Sequence, residues 1–349
     1  MNLLRQLLKM ILLLVQSSCQ KVLLRAVKFL IRLNPGKMSI SYFSGSQFDG
    51  TGAQLQRLAS VYALSKYLGI DFIKTPLSGV TVHPTDPFRS EDDYNQYLIR
   101  VGNFLQLDAD YCGNSDLNCK SINLSTISAS SMLRIVALNA FQRSRIHLKV
   151  FQANSIIDNW PELIPNFVSV NKNELTTAKL DAAGISIAIH YRQGAGGFPV
   201  YPGQKLSRQI DLDVYTKILK ELINELPRAE TIRITVFTDS PQEKSSFTPP
   251  EAQLIQWFGT PGFDGNKVTI IPTDFQSIMS FASNRVTVSI EHGGDPLDAF
   301  RFMTQADVLI MSRSSLSYLA GLLNLKGTVY FPVNFWHSPL HSWKKFRDG

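Results

Sequence analysis

The sequence has little cysteine and no long apolar run. Three cysteines in 349 residues are too few for the disulfide framework of a small secreted domain. Cys112 and Cys119 could pair around a short loop, although reduced thiols in a reducing compartment are the simpler interpretation. The longest uncharged run near the N-terminus extends from Met10 to Gln20, whereas a membrane-spanning helix needs roughly 20 apolar residues. A simple membrane span is therefore not expected.

Acidic side chains are absent from the first 33 residues, and this absence explains the charge of the whole chain. The formal net charge is +7, from 35 basic and 28 acidic residues. Residues 1–33 contain six basic residues, so the rest of the chain is close to neutral. The basic character belongs to the N-terminal segment and does not predict a nucleic-acid-binding surface.

Residues 1–36 predict a basic amphipathic helix that lies on an anionic membrane surface. Asn34-Pro35-Gly36 ends the helical pattern. The alternative is that the helix packs against the domain that follows, because both kinds of helix share this pattern. The membrane interpretation predicts a cytoplasmic protein peripheral to the membrane, with the Golgi or secretory lumen as the alternative in a eukaryote. The basic stripe is Lys21, Arg25, Lys28 and Arg32, and the apolar residues around it are Val22, Leu23, Leu24, Val27, Phe29, Leu30 and Ile31.

After residue 36, short apolar strands alternate with amphipathic helices, which predicts an α/β fold with parallel sheets. The length favours two domains, which we place at residues 37–180 and 181–349. Residues 108–131 look polar and irregular, and residues 132–180 give no clear pattern. In the second domain we expect the sheet to end with a strand from Val329 to Phe331.

A glycine-rich loop follows the first predicted strand. The loop runs from Ser44 to Gly52, and a helix is predicted from Ala53 to about Leu68. The spacing of its glycines matches neither the dinucleotide fingerprint nor a P-loop. Glycine lets the backbone approach a ligand closely, so we expect Gly50 and Gly52 to border a binding site.

Polar side chains follow three predicted strands of the second domain. His190 and Arg192 follow the strand from Ile185 to Ile189, and Asp239 follows the strand that ends at Phe237. The third group, Ser312 to Ser315 with Arg313 among them, lies between a predicted strand and a helix for which Ser312 or Ser314 is the expected N-cap. Parallel α/β sheets bind ligands at this edge. Free N–H groups at a helix N-terminus bind anions, so phosphate is the expected ligand.

These blocks resemble the fucosyltransferase superfamily that uses GDP-fucose. The resemblance rests on His190-x-Arg192, on Thr238-Asp239, on the serine block that ends at Asn324, and on Gly50-Thr-Gly52-Ala-Gln54. It implies a GT-B architecture, with two Rossmann-like domains facing across a cleft. The implied activity is inverting, metal-independent transfer of a sugar, fucose in this family, from a GDP-sugar to a glycan or protein hydroxyl. No cofactor beyond the donor substrate is implied.

The resemblance also implies roles for individual residues. Arg192 and His190 are the expected catalytic residues. Arg192 is expected to stabilise the β-phosphate, and His190 to contact the donor ribose or phosphates. Asp239 is expected to accept hydrogen bonds from the guanine edge. The remaining donor-binding candidates are Ser312, Ser314, Ser315, Gly50, Gly52 and Gln54. Candidates for the base that accepts the acceptor's proton are Asp49, Glu291 and Asp295, with His83 as a further residue in a Pro-rich loop.

One departure from the family keeps a second function open. The family has Gly-Asp after its arginine, whereas this chain has Gly194-Ala195. The alternative is therefore a non-catalytic protein that binds a nucleotide sugar or a glycan, and a membrane-associated scaffold is a third hypothesis. No D-x-D motif follows a predicted strand, and a metal site is not expected at His337 and His341 because Pro339 lies between them.

Each candidate also has a structural alternative. Arg192 could pair with Asp295 or Asp298. His190 could be a buried core residue, and Asp239 could only shape the turn before Pro241.

Overall fold

The structure is a computed structural model that describes most of the chain. Statements below concern the described residues, which are 20–33, 38–44, 49–81, 91–105, 107, 110–111, 119–139, 145–153, 184–193, 209–227, 230–247, 268–270 and 272–347.

The chain divides into two units. The first comprises Met1–Asp49, Gln54–Val80 and Gln96–Lys172, and the second comprises Gly50–Ala53, Thr81–Asn95 and Asn173–Gly349. Up to residue 153 the helices are α1 (Gln20–Arg32), α2 (Thr51–Leu68), α3 (Glu91–Phe104) and α4 (Ala129–Asn139). The strands of this part are β1 (Met38–Tyr42), β2 (Asp49–Gly50), β3 (Asp71–Lys74), β4 (Val80–Thr81), β5 (Asp110–Tyr111), β6 (Cys119–Thr126) and β7 (Arg145–Gln152).

The first unit is built on a five-stranded sheet in the order β5-β3-β1-β7-β6. Every pairing is parallel. The buried His147 on β7 joins the middle of this sheet, because Nδ1 lies 2.9 Å from Ser39 Oγ and Nε2 lies 3.0 Å from Ser41 Oγ on β1. A neutral imidazole offers one donor and one acceptor, and a pair of hydroxyls can satisfy both.

Strand β6 and helix α4 correct the sequence interpretation of residues 108–131. That stretch was expected to be irregular, yet its second half contains β6, the outermost strand of the first sheet. An edge strand has neighbours on one side only, so polar residues replace the continuous apolar run of a central strand.

Helix α1 packs its apolar side into the first unit. Leu24 and Val27 are completely buried, and α1 packs against α4. Arg25 and Arg32 are exposed, while Lys28 Nζ lies 4.5 Å from the centre of the Tyr67 ring. The side of α1 that remains at the surface is thus the one opposite its buried leucines. None of the helices within the described ranges combines the length and apolar character that a bilayer crossing requires.

The second unit is built on a six-stranded parallel sheet in the order β12-β9-β8-β13-β14-β15. Its helices are α5 (Leu212–Glu225), α6 (Gln276–Met279), α7 (Pro296–Gln305) and α8 (Ser315–Leu323). The strands of this part of the chain are β8 (Ile185–Tyr191), β9 (Ile232–Thr238), β10 (Ser245–Phe247), β11 (Val268–Ile270), β12 (Val286–His292), β13 (Val308–Ile310), β14 (Thr328–Pro332) and β15 (Lys344–Phe346). Two parallel-sheet units confirm the predicted α/β class.

Alternate residues of β8 point into the core of the second unit. Ile187, Ile189 and Tyr191 pack in one cluster with Tyr215 and Leu219 of α5. His190, between two of them in sequence, therefore belongs to the other side of the sheet. Burial on both sides explains why this central strand reads as a nearly continuous apolar run in the sequence.

The sequence analysis ended the second sheet one strand too early, which was wrong. Beyond β14 the structure adds β15, and Tyr330 on β14 is paired with Lys344 on β15. Two of the three residues of β15 are lysines, so the sequence offers no apolar run there. Lysine on an edge strand also discourages pairing with another chain.

Candidate functional site

The strand order of the second sheet reverses between β8 and β13. The chain first builds outward from β8 through β9 to β12, and then returns to the other side of β8 with β13, β14 and β15. Loops that leave two neighbouring strands in opposite directions open a crevice at their carboxyl ends, where open α/β sheets bind ligands. The residues that follow β8 and β13 therefore form the candidate site.

Arg192 lies directly after β8 and reaches toward both neighbouring strand ends. Nη1 donates to Ser314 Oγ over 3.3 Å, and Nε lies 3.8 Å from Asp239 Oδ2. The guanidinium is partly exposed and Nε makes no hydrogen bond. Arg192 pairs with neither Asp295 nor Asp298, because Asp295 caps a helix and Asp298 bonds Arg301.

Asp239 joins the ends of β8 and β9. Oδ1 accepts from the backbone N–H of Gln193 over 2.7 Å, while Oδ2 faces the guanidinium of Arg192. The turn beside it is shaped by Thr238, whose Oγ1 accepts from the Ser240 N–H over 2.9 Å. Asp239 thus fixes the backbone that carries Arg192, and it remains about one fifth exposed.

His190 and Ser312 form a pair across β8 and β13. Ser312 Oγ lies 3.0 Å from His190 Nδ1, and Ser312 is completely buried. Burial, and secondarily the positive charge of Arg192, lower the pKa of His190 to about 3. The imidazole is therefore neutral at pH 7. A neutral imidazole with so low a pKa suits hydrogen bonding to a ligand better than general-base catalysis.

Ser314 is the N-cap of α8, which confirms one of the two expected caps. Its Oγ accepts from the backbone N–H of Leu316, and the buried Ser317 donates back to the carbonyls of Ser312 and Ser314. Ser315 is the first residue of the helix and is only half buried. Arg313 does not share this exposure, since it is buried and its Nη1 donates to the carbonyl of Gln209.

Gly52, at the end of the glycine loop, lies against α8 within the second unit, to which residues 50–53 belong. A Cβ added to Gly52 would lie 2.5 Å from the Leu316 nitrogen and 2.7 Å from the Leu316 Cβ. Gly52 is the second residue of α2, and Leu316 is the second residue of α8. Glycine at position 52 therefore permits the close approach of this backbone to Leu316.

The other two residues of the glycine block are placed differently. A Cβ at Gly50 would meet no atom within 4 Å. Gln54 is completely buried in the first unit, where its side chain accepts from the Tyr42 hydroxyl and donates to the Gly79 carbonyl. The structure thus gives Gln54 protein partners on both ends of its amide.

Of the candidate bases, the structure describes the side chains of Asp295 and Glu291. Asp295 is the N-cap of α7 and accepts from the Leu297 N–H over 2.9 Å. Glu291 is exposed near the end of β12. The side chain of Asp49 and all of His83 lie outside the described residues, as does Gly194-Ala195. Their proposed roles stay predictions.

Two structural residues of the site were missed by sequence reasoning. The hydroxyl of Tyr215 on α5 lies 3.4 Å from the carbonyls of His190 and Met311, so it ties the ends of β8 and β13 together. Gln209 donates to the Tyr191 hydroxyl over 3.0 Å. A tyrosine on the apolar side of a predicted helix was the available signal, because a buried hydroxyl needs a partner.

Asn324, the last residue of the serine block, has a structural role. Its amide nitrogen donates to the carbonyls of Met303 and Ala306, and its Oδ1 accepts from the Gly327 N–H. His337 also has protein partners, since its Nε2 accepts from Trp336 Nε1 and its ring stacks on Tyr318. Within the described residues, no three His, Cys, Asp or Glu side chains are grouped so as to hold a metal ion.

Comparison with known proteins gives weak structural similarity and no sequence match. No protein-family model matches the chain, and no curated protein sequence matches it. A mutant of FUT1 from Arabidopsis thaliana in complex with GDP is similar with a TM-score of 0.38 and 14% identity, over 94% of this chain and 85% of that one. POFUT1 in complex with GDP gives 0.37 and 10%, over 90% and 99%. The E. coli heptosyltransferase WaaC with ADP gives 0.33 and 8%, over 89% and 93%. With TM-scores below 0.5 and identities below 25%, these similarities assign no activity to this chain.

Proposed function

We propose that this chain is a glycosyltransferase that binds a nucleotide-sugar donor at the carboxyl ends of β8, β9 and β13. The observation that carries the proposal is the convergence of Arg192, the His190–Ser312 pair and the capped N-terminus of α8 at the point where the strand order reverses. A guanidinium and free helix N–H groups are the groups that bind diphosphate.

The donor that we propose is a GDP-sugar, with fucose as the sugar. The four sequence blocks that resemble GDP-fucose-dependent enzymes support it. Asp239 is a carboxylate at the end of β9 and is partly exposed. It can therefore accept hydrogen bonds from a nucleobase that presents N–H donors, as the edge of guanine does. Its link to Gln193 holds it in place for such a contact.

The reaction that we propose is an inverting displacement without a metal ion. The acceptor hydroxyl forms a bond to the anomeric carbon, the bond from that carbon to the β-phosphate oxygen breaks, and GDP leaves with the electron pair. Arg192 and the N-terminus of α8 would stabilise the charge that develops on the leaving phosphate. The acceptor's proton would pass to a carboxylate, for which Asp49, Glu291 and Asp295 remain the candidates.

The acceptor that we propose is a glycan or a protein hydroxyl, and the proposed location is an anionic membrane surface contacted through residues 1–33. The six basic and no acidic residues of this segment support the membrane contact.

The test is a thermal-shift series with GDP, UDP and ADP and their sugars at equal concentration, because a ligand that binds the folded state raises Tm. We expect GDP and GDP-sugars to give the largest shift. A clear shift with UDP and none with GDP would reject the fucosyltransferase-like assignment, and no shift with any nucleotide would reject the nucleotide-sugar site.

The alternative of a binding protein without turnover is supported by Ala195, which stands where the family has an aspartate. Hydrolysis of GDP-fucose distinguishes the two functions, because transferases usually leak some donor to water. A chain that binds GDP-fucose but neither hydrolyses it nor transfers the sugar is a binding protein.

A further inference from the structure

We propose that α1 and α4 together form one lipid-binding face of the first unit, to which α4 contributes Arg134 and Leu138. This inference rests on the membrane contact proposed above and extends it from residues 1–33 to a second helix. It also changes which side of α1 meets the lipid.

The side of α1 that is exposed on the protein is opposite to the apolar side that a free amphipathic helix would bury in lipid. Leu24 and Val27 are completely buried in the protein. The exposed apolar residues are Phe29, 55% exposed, and Leu33, 57% exposed, together with Val22. Val22 and Phe29 are seven positions apart and therefore lie on one side of α1, and Leu33 is the residue directly after the helix.

Helix α4 presents the same combination of residues. Leu138 is 74% exposed, and Arg134, one turn earlier on the same side, is exposed as well. The opposite side of α4 is closed, because Met132 and Leu133 are completely buried. Since α1 and α4 pack against each other and each buries its inner side, their exposed sides border one outer surface.

Large apolar side chains are concentrated on this surface. In the described part of the first unit, the exposed large hydrophobic residues are Val22, Phe29, Leu33, Phe43, Ile99 and Leu138. Four of the six belong to α1 with the residue after it, or to α4. A single exposed leucine is ordinary, whereas a group of them with a polar rim marks an interaction site.

Charge complementarity identifies the partner as an anionic lipid surface. Arg25, Arg32 and Arg134 are exposed beside the apolar residues, and neither helix contains an aspartate or glutamate. Arginine near a bilayer places its guanidinium at the headgroups while its stem lies along apolar surface. Basic residues next to exposed apolar ones, without acids, are the composition of interfacial membrane-binding surfaces.

The experiment measures binding of the full chain to vesicles by co-sedimentation. The vesicles are pure phosphatidylcholine or an equimolar mixture of phosphatidylcholine and phosphatidylglycerol. The test variant is Arg134→Glu with Leu138→Ser. The matched control is Arg100→Glu with Ile99→Ser on α3, a second exposed basic and apolar pair of the same unit.

We expect the wild type to prefer the anionic vesicles and the α4 variant to lose at least about fivefold in partition coefficient, which is the effect of about one basic residue near an anionic surface. The control should bind as the wild type does. If the wild type prefers the anionic vesicles and the α4 variant binds them equally well, the role of α4 is overturned, while the membrane contact through α1 is retained. Equal binding to both vesicles, or none to either, would overturn the membrane contact as a whole.

Two measurements keep these outcomes separate from the proposed enzyme function. The Tm of each variant checks that it folds, and the Tm shift with GDP, measured without lipid, tests the nucleotide site in the same preparation. A loss of vesicle binding with an unchanged GDP shift affects the membrane proposal alone.

Discussion

Arg192 donates to Ser314 over 3.3 Å, although 122 positions separate the two residues in the chain. The same hydroxyl oxygen accepts from the first turn of α8. Ser314 therefore connects the guanidinium to the positive end of a helix, and a phosphate group at this point would meet both. Asp239, on the other side of Arg192, limits the positions that the guanidinium can adopt.

Replacement of Arg192 by lysine should reduce turnover much more than stability. Lysine keeps the charge but loses the planar fork that matches phosphate oxygens. The β-phosphate gains charge as the sugar leaves, so this contact acts mostly in the transition state. We expect sugar transfer to fall on the order of a hundredfold or more, by analogy with removal of one oxyanion donor, and Tm to change little.

The measurement is single-turnover transfer by the wild type and the Lys and Ala variants of Arg192, with GDP affinity determined in parallel. Arg301→Lys is the control, because Arg301 is exposed and pairs with Asp298 on the helix surface, where an ion pair contributes little. Near-normal turnover of Arg192→Ala would remove this residue from the mechanism. Loss of folding would instead assign it a structural role.

Ser314→Ala should weaken both the fold and the site. The substitution removes an N-cap, which costs about 1 kcal/mol of stability, and removes the partner of Arg192. Ser315→Ala, one residue further on, removes a half-buried hydroxyl that caps nothing and should keep the stability of the wild type. Urea unfolding of both variants, with and without GDP, measures the difference. Equal stability of the two variants would contradict the assigned cap.

Gly52→Ala should disrupt the start of α2, whereas Gly50→Ala should be tolerated. Alanine within a helix normally stabilises by up to about 1 kcal/mol relative to glycine. At Gly52 the added methyl would meet the Leu316 backbone at 2.5 Å, so the two helix ends must separate. At Gly50 no atom lies within 4 Å. We expect lower Tm and weaker GDP binding for Gly52→Ala alone, and a wild-type Tm for it would contradict the close approach.

Stability should fall as the pH drops below the usual histidine pKa of 6.5. Burial lowers the pKa of His190 to about 3 and that of His337 to about 4, and it lowers the pKa of His147 as well. Between pH 6.5 and these values the unfolded chain binds protons that the folded chain excludes. The free energy of unfolding is therefore highest above pH 6.5 and falls on acidification. Each histidine contributes a slope of up to about 1.4 kcal/mol per pH unit.

The check is urea unfolding of the wild type and of His190→Gln at pH 7 and pH 5. Glutamine does not titrate, so the variant should lose less stability than the wild type between the two values. The same loss in both proteins would mean that His190 is protonated in the folded state at pH 5.

The sequence alone identified the strands and helices that carry continuous patterns. The strand that includes Ile187 and Ile189 is a nearly continuous apolar run because it is buried on both sides. Helix α8 was evident from its serine cap and the leucines that follow. The edge strands β6 and β15 were missed or left out, because a strand with one neighbour and an exposed side needs no apolar run.

The sequence by itself named the residues of the candidate site. Arg192, Asp239 and the Ser312–Ser315 segment follow strands as expected, whereas His190 lies within β8, one residue before its end. The tertiary structure decided how they are connected. Strand order placed β13 beside β8, so Ser314 rather than Asp295 or Asp298 contacts Arg192, and His190 faces Ser312. Order within a parallel sheet depends on crossover connections between strands distant in sequence, and local residue patterns do not encode it. The sequence likewise described the amphipathic character of α1. Its packing in the first unit, including against α4, decided that the apolar side is buried in the protein.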